Sequence, residues 1–129
     1  MRSLVGRWLE HSRIYGFGTG ARAEWYFGSA DLMARNLDDR VEAVTPVLAA
    51  PLRARLETIV EVLLADDRLA WELDRDGVWH RVKCRRGVNA HELLAELARG
   101  ADEHVIEVIG RRRRRAPAPV DGSARQSPV

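Results

Sequence analysis

Residues 13–28, RIYGFGTGARAEWYFG, leave this chain few local choices. Two runs rich in aromatic and β-branched side chains, RIYGF at 13–17 and EWYFG at 24–28, flank GTGAR at 18–22. The two glycines of that linker accept positive φ without a Cβ clash. Such a pattern predicts two antiparallel strands joined by a turn.

Other segments extend the pattern. RSLVGRWLE, 2–10, reads as a short helix or helix end, with Leu4 and Trp8 at i, i+4 spacing. Residues 29–38 read as a loop or short helical turn. RVEAVTPV, 40–47, alternates at Val41, Ala43, Thr45 and Val47 and predicts a third strand. The clearest helix is 50–66, with Pro51 near its start and Leu52, Leu56, Ile59 and Leu63 on one stripe. LAWEL at 69–73 and VWHRVKC at 78–84 predict two strands around an Asp-Arg-Asp-Gly turn. Asn89 with Glu92 matches a capping box that opens a helix to about residue 99, burying Leu93, Leu94 and Leu97. Residues 101–110 add a short helix. Strands with crossing helices and no internal repeat give an α/β or α+β class.

A chain of 129 residues suits one domain. So many elements in about 110 ordered residues make a thin core, so at least one apolar face is expected to meet another domain. The single cysteine, Cys84, excludes an intramolecular disulfide and fits a reducing cytosol. No membrane span or signal peptide is expected. The net charge of +2 divides unevenly: residues 1–110 hold 15 basic and 18 acidic side chains, and residues 111–129 hold six Arg and one Asp. The expected division is therefore a folded unit at 1–110 and a disordered Arg/Pro-rich tail at 111–129. Five adjacent arginines in that tail would bind polyanions weakly and in a salt-dependent way, or simply be solvated.

Candidate chemistry concentrates near the first predicted hairpin. His11 and Arg13 stand at i and i+2 entering a strand, so both project from one face. An imidazole beside a guanidinium suits a phosphoryl group: the His acts as nucleophile or general acid/base and the Arg neutralises oxygens. Ser29 and Asp31 follow the second strand and reach the same rim when the strands pair. The hydroxyl donates to a phosphate oxygen, and the carboxylate orients the imidazole. Arg35 and Arg40 add positive potential. Each residue also has an ordinary reading: a solvated strand-edge histidine, a loop Gly-Ser, a surface cluster of charges.

Elsewhere the signals are bland. His80, His91 and His104 share no ligand spacing, and no metal site is expected. Cys84 reads as a small buried residue. Trp8, Trp25, Trp71 and Trp79 read as core or interface anchors.

Order and spacing add more. HSR at 11–13 followed by GSAD at 28–31 resembles the His-x-Lys, Gly-Ser-x-Asn half-site of the phospholipase D superfamily, with Arg for Lys and Asp for Asn. The run VGRWLEHSRIYGFGTG, then YFGSADLMARNLDDRVEAVTPV, resembles the last domain of the long-chain-forming polyphosphate kinases. APLRARLETIVEVLLADDRLAWEL and GVNAHELLAELA extend the likeness from about Arg2 to Gly100. Thr19 stands where that family has Asn and Leu32 where it has Trp; Asp39 falls at a variable position.

The resemblance implies a phospholipase-D-like half-domain: a mixed sheet with flanking helices and a disordered C-terminal tail. It implies reversible transfer of the ATP terminal phosphate to polyphosphate, with ATP/ADP and polyphosphate as partners and Mg²⁺ accompanying the nucleotide. His11 would be the catalytic residue, and His11, Arg13, Ser29, Asp31, Arg35 and Arg40 the phosphate and nucleotide contacts. The phosphorylated histidine of such enzymes lies in an upstream half. The chain is thus expected to be a fragment of a larger cytoplasmic enzyme, nearly inactive alone unless the upstream half or a homo-oligomer completes the site. The alternative is a non-catalytic module that holds polyphosphate or nucleotide. A phosphodiester hydrolase fits less well, because Arg13 and Asp31 replace the hydrolase Lys and Asn.

Overall fold

The computed structural model describes residues 1–18 and 20–113. Six strands and four helices follow in the order β1 (Arg2–Leu4), β2 (Ile14–Phe17), β3 (Glu24–Gly28), α1 (Ala34–Asp38), β4 (Val44–Pro46), α2 (Ala50–Ala65), β5 (Ala70–Leu73), β6 (Trp79–Arg81), α3 (Ala90–Ala98) and α4 (Asp102–Arg113). The α/β class with flanking helices is present. Its strands divide between two three-stranded sheets, β1-β5-β6 and β2-β3-β4, with every pairing antiparallel.

The hairpin forms as its residues require. Ile14 faces Phe27 and Phe17 faces Glu24 across β2 and β3, and a 3-10 turn at Gly20–Arg22 helps close the connection. Gly18 has φ 79°, a conformation that glycine enters without strain. The third strand is shorter than expected. Only Val44–Pro46 pairs with β3, and Val41 is fully exposed. Val47 alone of the predicted alternating set is buried. Pro46 has no N–H, which suits the edge position of β4.

Residues 2–10 are not helical. Arg2–Leu4 forms β1 on the edge of β5, and Val5 N donates to the Leu69 carbonyl at 3.0 Å. Two apolar residues one turn apart do little to stabilise an isolated helical turn, whereas β5 offers a ready row of backbone partners. Leu4 still packs on the core.

That core lies among the helices: Val62 and Ala65 of α2, Leu93 and Leu97 of α3, and Val105 and Ile109 of α4. Asn89 caps α3 by accepting from the His91 and Glu92 amides, as its position predicts. Ile59 and Leu63 of the α2 stripe pack on the core, but Leu52 is 60% exposed. Leu9, Leu32 and Leu48 are also exposed, consistent with the apolar surface expected of a thin core. Cys84 is exposed rather than buried, because it lies on the loop after β6 and outside the core. Trp25 and Trp71 are half-buried; Trp8 and Trp79 are exposed. Helix α4 runs past the expected boundary at 110 to Arg113; the remainder of the predicted disordered tail, 114–129, lies outside the described residues. Among the described residues no helix is long and apolar enough to cross a membrane.

Two buried aspartates join the layers. Asp66 Oδ1 accepts from the Arg68, Leu69 and Ala70 amides, and Oδ2 accepts from Ala90 N at 2.6 Å. Asp67 Oδ1 accepts from Val88 N, and Oδ2 from Arg85 and Arg86 N. The end of α2 is thereby tied to the strand after it and to the loop before α3. Burial works to raise the Asp67 carboxyl, but the Arg86, Arg85 and Val88 amides outweigh it and hold the group below the ordinary 3.8. The sequence sign for these clamps was an Asp-Asp pair at a helix end, a common Asx-turn position.

Candidate functional site

Strand pairing explains why His11, Arg13 and Asp31 meet. Gly28 N donates to the Arg13 carbonyl at 3.1 Å, so the ladder of β2 and β3 continues to the rim where both motifs emerge. Tyr15 Oη donates to the Ala30 carbonyl at 2.7 Å and ties the 28–31 segment to β2. Ala30 is buried, which leaves Asp31 facing outward beside Arg13.

Arg13 then forks onto Asp31, with Nε to Oδ1 at 2.9 Å and Nη2 to Oδ2 at 3.0 Å. Its Nη2 also lies 2.7 Å from His11 Nε2, and that nitrogen lies 3.2 Å from Asp31 Oδ2. Arg13 and then His11 hold the Asp31 carboxyl well below the usual carboxylate range. The hydrogen bonds to Asp31 raise the Arg13 guanidinium further above its already high ordinary value.

The contacts at His11 Nε2 exclude each other chemically. If Nε2 is unprotonated, it accepts from Arg13 and the imidazole proton sits on Nδ1. If Nε2 is protonated, it donates to Asp31. One nitrogen thus has a donor and an acceptor both within reach. This arrangement suits general acid/base work beside an anion.

The other predicted residues are placed differently. The Ser29 hydroxyl donates to Glu42 and accepts from Ala43 N at 3.1 Å, so it fastens the approach to β4. Among the described residues Arg35 and Arg40 make no hydrogen bond to the His11 cluster; both are exposed. Glu42, the partner of Ser29, was not singled out from the sequence.

His91 was also missed as a neighbour of this site. It is buried at the start of α3 and lines an open groove of about 440 Å³ together with Trp8, Glu10, His11 and Ser12. Its ring packs 5.4 Å from that of Trp8, over which the Arg7 guanidinium also lies. A Cβ on Gly6 would stand 2.7 Å from His91 Cε1, so this approach requires glycine. Eighty positions separate His11 from His91, and no local spacing could have joined them.

Among the described residues no group of three or more His, Cys, Asp or Glu could hold a metal ion. Asp31 is already engaged by Arg13 and His11.

Comparison with known proteins gives a consistent picture. The family model "Polyphosphate kinase C-terminal domain 2" matches residues 1–92. A polyphosphate kinase of Parasynechococcus marenigrum is 57% identical over 75 residues, covering 58% of this chain and 10% of that protein. One from Streptomyces coelicolor is 40% identical over 118 residues, covering 92% of this chain and 15% of that protein. The crystal structure of polyphosphate kinase from Porphyromonas gingivalis superposes with a TM-score of 0.69 at 33% identity, covering 80% of this chain and 16% of that one. The chain spans between a tenth and a sixth of the length of these proteins.

Proposed function

Since the chain belongs to the polyphosphate kinase C-terminal domain 2 family, we propose that it contributes one face of a site for reversible phosphoryl transfer between ATP and polyphosphate. The observation that carries this reading is the His11–Arg13–Asp31 cluster, with its donor and acceptor both within reach of one imidazole nitrogen. Arg13 binds phosphate oxygens and offsets their charge. His11 contacts the nucleotide phosphates or moves a proton at Nε2, opposite a phosphohistidine supplied by another part of the enzyme. Asp31 aims the Arg13 fork and stabilises the protonated imidazole. Ser29 shapes the rim through Glu42 and Ala43, and Arg35 and Arg40 raise the local positive potential for an incoming polyanion.

In the transfer the bond from the γ-phosphorus to the ADP oxygen breaks, and a bond to the accepting nitrogen or oxygen forms. Mg²⁺ belongs to this reading as part of the substrate, neutralising the nucleotide phosphates. A cytoplasmic location, where ATP is abundant, goes with it.

The test is polyphosphate formation from ATP and Mg²⁺, with and without His11→Ala, alongside titration of the chain with ADP and tripolyphosphate. We expect His11→Ala to abolish any turnover and Arg13→Ala to weaken both ligands. Unchanged binding and unchanged turnover in both variants would overturn the reading. Tight binding without turnover under every condition would favour a module that only holds polyphosphate.

A further inference from the structure

Residues 1–110 are acidic overall, yet residues 77–91 hold four Lys/Arg and no Asp or Glu. Arg81 ends β6, and Lys83, Arg85 and Arg86 follow on the loop to α3. All four are exposed, and among the described residues none forms an ion pair with a carboxylate. The one carboxylate close beneath them, Asp67, is occupied by backbone amides, so the four side chains keep their charge facing outward.

The loop is also held in place. Asp67 fastens the Arg85, Arg86 and Val88 amides from below, so these side chains are presented from a fixed backbone. Arg81 Nη2 donates to the Arg68 carbonyl at 3.0 Å, which sets it alongside the exposed Arg68. Arg86 Nη2 donates to the Val108 carbonyl at 2.6 Å. That contact brings the loop against α4, and the arginine run from 111 begins within about one helical turn of it. Two separated stretches of basic sequence, Arg68 and residues 81–86, thus lie side by side.

We propose that this basic surface, built on Arg68, Arg81, Lys83, Arg85 and Arg86, is a second binding site for a linear polyanion, inorganic polyphosphate, apart from the His11 cluster. The proposal rests on the polyphosphate reading above and adds a place for the body of the chain. Guanidiniums without carboxylate partners keep donors free for phosphate oxygens, and a polymer spanning several cations gains by releasing its condensed counterions. A nucleotide or tripolyphosphate is too short to gain in this way. Nucleic acid fits less well: the loop carries no aromatic residue, and of the adjoining strand's exposed rings Trp79 is the one large ring while His80 is held by Asp74, whereas successive bases need successive stacking partners.

The experiment uses the whole 129-residue chain. Polyphosphate of about 100 phosphates and tripolyphosphate are titrated at about 50 and 200 mM salt, for the parent and for Lys83→Ala/Arg85→Ala. Neither replaced side chain makes a hydrogen bond among the described residues. We expect the double variant to lose about tenfold in long-chain affinity at the lower salt, with a salt slope shallower by about 1–2, and tripolyphosphate binding unchanged. A single Arg85→Gln variant, with the parent far-UV spectrum, should show about half of that slope change. Unchanged long-chain affinity and slope in both variants would overturn the surface. Arg13→Ala is expected to weaken tripolyphosphate and largely spare the long chain; failure of that arm alone counts against the His11 reading and leaves the surface standing. Single-stranded RNA bound as tightly as polyphosphate, and weakened by Trp79→Ala, would overturn polyphosphate in favour of nucleic acid.

Discussion

Arg13 grips Asp31 with two parallel hydrogen bonds, Nε to Oδ1 at 2.9 Å and Nη2 to Oδ2 at 3.0 Å. The same Nη2 stands 2.7 Å from His11 Nε2, so the fork sets the position of the imidazole's hydrogen-bonding partners. A lysine supplies a point charge and cannot reproduce a planar fork. Arg13→Lys is expected to weaken tripolyphosphate binding about tenfold while leaving the far-UV spectrum unchanged. Equal affinity in Arg13→Lys and the parent would show that charge alone suffices.

Asp67 accepts three backbone amides with its two oxygens. Asn has one acceptor oxygen, and its NH₂ group would confront an amide donor. Asp67→Asn should therefore cost about 2–4 kcal/mol, read from the urea midpoint, because a buried donor left unpaired carries its desolvation penalty. A change below about 0.5 kcal/mol would mean that water replaces the lost acceptor.

Acid sensitivity follows from the same group. Asp67, Asp31 and Asp74 all have carboxyls held below the ordinary 3.8 in the folded chain. A depressed folded value means that the contribution is complete above the unfolded value and is lost as pH falls through the folded one. Stability should be nearly flat from about pH 7 to 5 with respect to these groups and fall below about pH 4. Asp67→Asn should make the acid limb shallower in a series of urea melts; an identical limb would place the acid sensitivity elsewhere.

Gly6 tests the contact beneath the groove. A Cβ there would meet His91 Cε1 at 2.7 Å and Leu69 Cδ1 at 2.9 Å. Gly6→Ala should cost about 1–3 kcal/mol in thermal unfolding. Combined with His91→Ala, the cost should fall below the sum of the two single variants, because part of the clash is removed. Strict additivity would mean that the backbone yields instead.

Much of this fold is legible locally. The β2–β3 hairpin is announced by its flanking aromatic runs and glycine linker, and the start of α3 by Asn89. The His11–Arg13–Asp31 grouping follows from placing two short motifs at the same end of that hairpin. Ser29 shows the limit of this reading. Its hydroxyl lies two residues from Asp31, yet it is taken up by Glu42 and the Ala43 amide, which arrive from the approach to β4. Cys84 shows another limit, since small size does not say which side of a loop faces the core.

Elements whose stabilising contacts lie within a few residues are written in the local sequence: a tight turn, a capped helix, an apolar stripe. Those contacts need little loop closure, so composition and spacing specify them. Tertiary structure decided the rest. Residues 2–4 became a strand because β5 offered backbone partners 66 to 70 residues away. His91 came beneath Trp8 because Gly6 leaves room, and the basic loop came to the end of α2 because Asp67 holds it there, with Arg86 tying it on to α4. Each of these outcomes depends on a hydrogen-bond or packing partner distant in the chain, whose position is set only when the whole core closes.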